Sequence, residues 1–158
     1  MIKTYYYNAE VIDKVLEIQV KNSEYVVGIN YVGDGDGVAA SDVDCAVARL
    51  CMRELDEYAR GGLKEFSVPV FFDKGTEFQK KVWNELRRIP YGETISYKEL
   101  AVRCSGETYS RAVANANGKN PISIVVPCHR VISSDGSIGG YTGGVDIKEK
   151  LLGIEGLL

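Results

Sequence analysis

Residues 96–118 read SYKELAVRCSGETYSRAVANANG, and their reading decides the fold of the second half of the chain. Ser96 followed three residues later by Glu99 is a helix-start signature, because the hydroxyl takes a backbone N–H that the first turn leaves over. SYKELAVRC predicts one short helix, SGET a tight turn, and SRAVANANG a second helix. Two short helices joined in this way form a helix-turn-helix pattern. In the second helix Ala112, Ala114, Asn115, Ala116, Asn117 and Gly118 are nearly all small. Such a helix can press its backbone close to another surface. Tight packing on a neighbouring helix and docking into a confined groove both meet that description, and the helix alone does not choose between them.

Upstream, TEFQKKVWNELRRI (76–89) predicts a further helix. Thr76 and Gln79 form its capping box, Phe78, Val82, Trp83, Leu86 and Ile89 its buried side, and Pro90-Tyr91-Gly92 its end. Before residue 76 the texture is different. VLEIQV (15–20) and YVVGINYV (25–32) are β-branched and aromatic and predict strands of a small antiparallel sheet. GDGDG (33–37) lacks the ligand spacing of a calcium loop and the lysine of a phosphate loop, and is expected to be a solvated turn. An amphipathic helix is expected from about Asp42 to Tyr58, with Ser41 as N-cap and Gly61-Gly62 as its stop. EFSVPVFF (65–72) reads as a last strand or a link containing Pro69.

The chain has 158 residues, 45% of them apolar, with a net charge of −3 and a pI near 5.3. The acidic total argues against a polyanionic partner only if the charge is evenly spread. Residues 1–76 hold 8 basic against 13 acidic residues, whereas residues 80–131 hold 9 against 4. A nucleic-acid partner therefore stays open. No apolar run approaches the roughly 18 residues of a membrane span. MIKTYYYNAE has no secretory layout, so a cytoplasmic location is expected. Cys45, Cys51, Cys104 and Cys128 show no C-x-x-C pairing and are expected as free thiols. With His129 the sole histidine, no metal site is expected.

In NPISIVVPCHRVI (120–132), ISIVV predicts a buried strand, and Cys128 and His129 follow Pro127. A thiolate is a strong nucleophile, and a nearby histidine raises its population at neutral pH. Adjacent residues of a regular strand face opposite ways, so the pair needs the kink that Pro127 favours. Taken alone, the dipeptide also fits a core cysteine beside a surface histidine.

The stretch NPISIVVPCHRVI, followed by GGYTGG and KEKLLGIEG, resembles the O6-alkylguanine-DNA alkyltransferase family, most closely its bacterial constitutive type. The resemblance begins near FQKKVWNELRRIPYGETISYKELA and covers about half of the chain. It implies an α+β protein in two domains. Residues 1–74 would form an N-terminal α/β domain with a small antiparallel sheet, and residues 75–158 a helical domain with a DNA-binding helix-turn-helix. It implies stoichiometric repair, in which Cys128 accepts the alkyl group of O6-alkylguanine, or of O4-alkylthymine, in duplex DNA. His129 would act as its base through a water, Glu155 would orient the histidine, and Tyr97 would protonate the departing base. Arg111 matches the arginine that fills the stack after base flipping, and Ala112, Ala114, Asn115 and Gly118 belong to the helix that enters the minor groove. Asn120 and Pro121 match the hinge beside the site. Tyr141, Thr142 and Gly143 match the pocket loop, the Val131 carbonyl a contact to the exocyclic amine, and Lys148 a pocket lysine. The family pattern implies no cofactor, no membrane partner and a monomer. Two departures stand out. Tyr109-Ser110 occupies a place often small and apolar, and Thr142 one often serine or alanine.

Two other readings use some of the same residues. A cysteine hydrolase would employ Cys128, His129 and an acid, but needs an oxyanion hole and gives Tyr97 and Arg111 no role. A non-catalytic sensor of alkylated DNA would share the helix-turn-helix but replaces the cysteine that is present here.

Overall fold

A computed structural model describes residues 1–33 and 43–158, so most of the GDGDG loop and the expected Ser41 cap lie outside the described residues. The chain divides into two compact units, Met1–Asp73 and Lys74–Leu158.

In the first unit, β1 (Ile2–Ala9), β2 (Lys14–Lys21) and β3 (Tyr25–Tyr31) form an antiparallel sheet in that order. Asn22, Ser23 and Glu24 turn the second hairpin, with Asn22 and Ser23 both left-handed at φ 53° and 59° and Glu24 N donating to the Lys21 carbonyl. One face is apolar. Leu16, Ile18 and Val20 of β2 are buried with Val26 and Ile29 of β3. Helix α1 (Ala46–Ala59) lies on the sheet through Ala48, Cys51, Met52, Leu55 and Tyr58. It begins at Ala46 behind an extended Cys45, later than the expected start at Asp42. Strand β1 carries no unbroken apolar alternation and was not singled out by pattern. It is held by its register on β2 and by the Tyr5 and Tyr7 hydroxyls, which donate to Asp44 and Asp56.

Residues 65–72 do not form a strand. Their only strand-like contact among the described residues is the parallel bridge between Val26 and Val70, where Val26 N donates to the Pro69 carbonyl. Pro69 has no N–H to extend a ladder. The segment is anchored instead by the buried Glu54 carboxylate, which accepts from Ser67 N, Ser67 Oγ and Val68 N.

The second unit is helical. Helix α2 (Glu77–Leu86) carries the full capping box of Thr76 and Gln79. Gly75 precedes the cap at φ 119°, where a Cβ would meet the Trp83 ring at 2.5 Å, so only glycine fits. Strand β4 (Ile95–Ser96) leads into α3 (Tyr97–Cys104). Ser96 Oγ caps α3 by accepting from Glu99 N, while the Glu99 carboxylate accepts from Arg103 rather than closing a reciprocal box. A 3₁₀ turn over Glu107–Tyr109 then opens α4 (Ser110–Gly118). The Trp83 indole donates to the Ala116 carbonyl at 2.8 Å, pinning α2 to α4. Strand β5 (Val131–Ile132) pairs in parallel with β4, and α5 (Val145–Ile154) closes the unit.

Candidate active site

The expected strand over residues 122–126 is absent. The segment is a series of turns, with Val125 N donating to the Ser123 carbonyl and Val126 N to that of Ile122. Ile124 sits at φ 70°, a left-handed conformation that a β-branched side chain strongly disfavours. The Asn120 side chain braces this strained turn. Its amide donates to the Val126 carbonyl at 2.8 Å, and its oxygen accepts from Ile122 N at 3.0 Å. Pro121 stands at the start of the turn, half-buried. Cys128 N then donates to the Val126 carbonyl at 2.9 Å, and Cys128–Arg130 forms one 3₁₀ turn. The turn, rather than a kinked strand, is what presents the cysteine and histidine.

His129 is fully buried. Its Nε2 lies 2.6 Å from Glu155 Oε2, just beyond the end of α5. Glu155 Oε1 accepts from Arg130 Nε at 2.8 Å and from Gly92 N at 3.0 Å. Burial would raise the Glu155 carboxyl, but the hydrogen bonds from His129, Arg130 and Gly92 bring it down to about 2. An ionised Glu155 accepts, so Nε2 carries the ring proton and the buried Nδ1 keeps its lone pair. Burial lowers His129 itself against the pull of Glu155, which favours the neutral ring. Burial pushes the Cys128 thiol up, opposed by the Asn120 amide, the Lys148 charge and the Tyr141 hydroxyl. The cysteine therefore rests as a thiol and needs a base.

Cys128 opens into a pocket of about 330 Å³. Its walls are Tyr97 of α3, Ala114, Asn117 and Gly118 of α4, and Gly140, Tyr141 and Thr142 of the loop before α5. Burial raises the Tyr97 phenol, as would a charge on Cys128, so it remains a proton donor at neutral pH. Lys148 is fully buried. Its ammonium donates to the Val131 carbonyl at 2.7 Å and the Gly140 carbonyl at 3.1 Å, and lies over the Tyr97 ring at 5.9 Å. Burial lowers it to about 8, against the attraction of Cys128. The Val131 carbonyl is thus already engaged by Lys148. Gly139, at φ 75°, packs so closely that a Cβ would stand 3.2 Å from Ser133 Oγ and 3.4 Å from Tyr97. Thr142 Oγ1 donates to the Gly118 carbonyl at 2.9 Å, tying the loop to the end of α4, with the half-buried Gly143 next to it.

Helix α4 is two-sided. Val113, Ala116 and Asn117 are buried, while Arg111, Ala112, Asn115 and Gly118 are exposed and Ala114 turns to the pocket. Of the residues singled out from sequence, the structure thus gathers Cys128, His129, Glu155, Tyr97, Asn120, Val131, Tyr141, Thr142 and Lys148 around one cavity and its floor. Arg111, Ala112 and Asn115 stand apart on an outward surface. Sequence reading missed Gly92 and Arg130. Arg130 was counted with the basic stretch, yet it is 6% exposed and bound to Glu155. Its place beside His129 was the available signal. Among the described residues no group of three or more His, Cys, Asp or Glu is placed to hold a metal ion.

A family model described as the DNA binding domain of 6-O-methylguanine DNA methyltransferase matches residues 77–157. The chain is 53% identical over 108 residues to a methylated-DNA–protein-cysteine methyltransferase of Methanosarcina acetivorans, covering 68% of this chain and 69% of that protein. The crystal structure of Mycobacterium tuberculosis O6-methylguanine methyltransferase is similar with a TM-score of 0.82 at 34% identity, over 98% of this chain and 93% of that one. The structure of Mycobacterium tuberculosis OGT in complex with DNA is similar at 0.80, with 34% identity, over 98% and 91%.

Proposed function

This chain belongs to the 6-O-methylguanine DNA methyltransferase family, and from that premise we propose that Cys128 is the acceptor of the alkyl group. The activity is DNA repair by direct transfer of an alkyl group from damaged DNA to a cysteine of the protein. The Cys128 sulfur attacks the carbon on guanine O6, so that a C–S bond forms as the C–O bond breaks. His129 takes the thiol proton through a water at Nδ1, and Glu155 holds the imidazole by Nε2. Tyr97 supplies the proton that lets guanine leave neutral. A thioether is a poor leaving group, so each molecule acts once.

The base must leave the duplex to reach this pocket. The smooth outer face of α4 suits the narrow minor groove, and the exposed Arg111 fills the stack it vacates. Asn120 and Pro121 hold the turn beneath the cysteine. Tyr141, Thr142 and Gly143 cover the base, and Lys148 secures that loop. Residues 75–158 carry this chemistry and residues 1–74 form a separate domain. Among the described residues no helix is long and apolar enough to cross a membrane. The four free thiols suit the reducing cytosol as the place of work.

The observation that carries this reading is the pocket that joins Cys128, Tyr97 and the small residues of α4. Its test is incubation with duplex DNA bearing a labelled O6-methylguanine, followed by peptide mapping. One label per protein, on the Cys128 peptide, is expected. Cys128→Ala is expected to abolish transfer and to leave DNA affinity within about threefold. Label on another peptide, or many turnovers per molecule, would refute it.

A further inference from the structure

Arg130 stands at the back of the site, out of solvent, with each of its contacts directed at a different element. Its Nε donates to Glu155 Oε1 at 2.8 Å, and one terminal nitrogen donates to the Ile89 carbonyl at 2.7 Å, beyond the end of α2. The guanidinium lies over the Tyr91 ring at 5.8 Å, and the Tyr91 hydroxyl donates to the Ile154 carbonyl. The Glu155 carboxylate is thereby divided. One oxygen serves Arg130 and Gly92, and the other faces His129.

The charge count explains why this division matters. With His129 neutral, the buried charges of Glu155 and Arg130 offset each other. Without Arg130, the buried carboxylate would face a neutral imidazole and lose the one cation bonded to it, since the Lys148 ammonium is held on the Val131 and Gly140 carbonyls. The least costly repair of that imbalance is a proton on His129. An imidazolium cannot accept the proton of Cys128.

We infer that Arg130 is a positioning residue that shares the Glu155 carboxylate with His129 and so keeps the imidazole in its proton-accepting form. This rests on His129 being the base, as proposed above. The charged and titratable groups that face His129 are Glu155, Arg130, Lys148 and the neighbouring Cys128. Lys148 acts on His129 in the same sense as Arg130, but its ammonium is spent on the Val131 and Gly140 carbonyls. It cannot replace the arginine's hold on the carboxylate.

The chain has one histidine, so a ¹³C-labelled imidazole gives a single resonance to follow. In Arg130→Met the titration of that resonance is expected to move upward by at least one pH unit. The acidic limb of the transfer rate should move with it, and the rate at neutral pH should fall at least tenfold and recover as the pH is raised. Arg130→Lys keeps the charge but not the fork, and is expected to slow transfer with a much smaller shift. Should Arg130→Met fail to fold, the double variant Arg130→Met/Glu155→Gln removes both buried charges. Its histidine is expected to titrate no higher than the wild type's. A histidine in Arg130→Met that titrates at or below the wild-type pH, with an unmoved rate profile, would overturn the inference. Failure of the wild type itself to label Cys128 would instead overturn the proposed reaction, and the histidine titration would still test the charge balance.

Discussion

Glu155 takes hydrogen bonds from an imidazole, a guanidinium and a backbone amide, and its protonation is therefore tied to the stability of the second unit. Its carboxyl ionises at about 2 in the folded chain against an ordinary value of 4.5. Between those values the unfolded chain binds the proton more tightly, so its contribution is complete above pH 4.5 and is lost as the pH falls from 4.5 to 2. Glu155→Gln leaves Arg130 buried beside a neutral amide and is expected to cost about 3–5 kcal/mol near neutrality, measured by denaturant titration. In that variant the acid-induced loss over this window should flatten. Lys148 has the same sense in a higher window. Burial lowers it from 10.5 to about 8, so the unfolded chain holds the proton better between those values and stability from this group rises across that window. Lys148→Met should remove that rise in a melting series from pH 8 to 10. The roles expected of Cys128, His129 and Glu155 were legible only through the resemblance, since no spacing rule brings residue 155 to residue 129. The Arg130 contact was legible only as a neighbour of His129, because in a list of charges a buried arginine looks the same as one facing solvent.

At the scale of elements, the turn over residues 121–126 stores strain at Ile124, and one amide, Asn120, holds its two ends. Asn120→Ala is expected to cost about 1–3 kcal/mol by leaving the Ile122 N–H unmet and removing one of the two donors on the Val126 carbonyl. It should also slow alkyl transfer, because the Val126 carbonyl is the acceptor for Cys128 N. A variant that unfolds at the wild-type denaturant midpoint would contradict this. Helix α4 makes a different prediction. Ala112 and Asn115 are exposed and touch no core, so Ala112→Leu or Asn115→Leu should leave the melting temperature within about 2 °C. Either is expected to weaken duplex binding at least tenfold by widening a helix that must fit a groove about 6 Å across. The helices were readable because caps and apolar spacing are local: Thr76, Ser96 and the run from Val82 to Ile89 announced them. The ISIVV segment was misread because apolar composition does not distinguish a strand from buried turns. There the Asn120 side chain and the φ of Ile124, both tertiary facts, decide the backbone.

For the whole molecule, a net charge of −3 describes neither unit. The negative residues collect in the first 76 positions, and the exposed Arg111 and Lys119 stand on α4 or at its end. Binding to DNA should therefore weaken steeply with added salt in spite of the acidic total, and Arg111→Ala should reduce the log–log salt slope by about 1. Fluorescence anisotropy across a salt series measures this. A slope unchanged by that substitution would place Arg111 away from the phosphates. All four cysteines are free and buried, and burial pushes the Cys51 thiol to about 12 and raises Cys104 as well. Of the four, Cys128 is the one lining the pocket. A population of this protein is therefore a dosimeter: the fraction of molecules whose Cys128 peptide has grown by one alkyl group integrates past exposure, with the other three thiols buried away from the pocket.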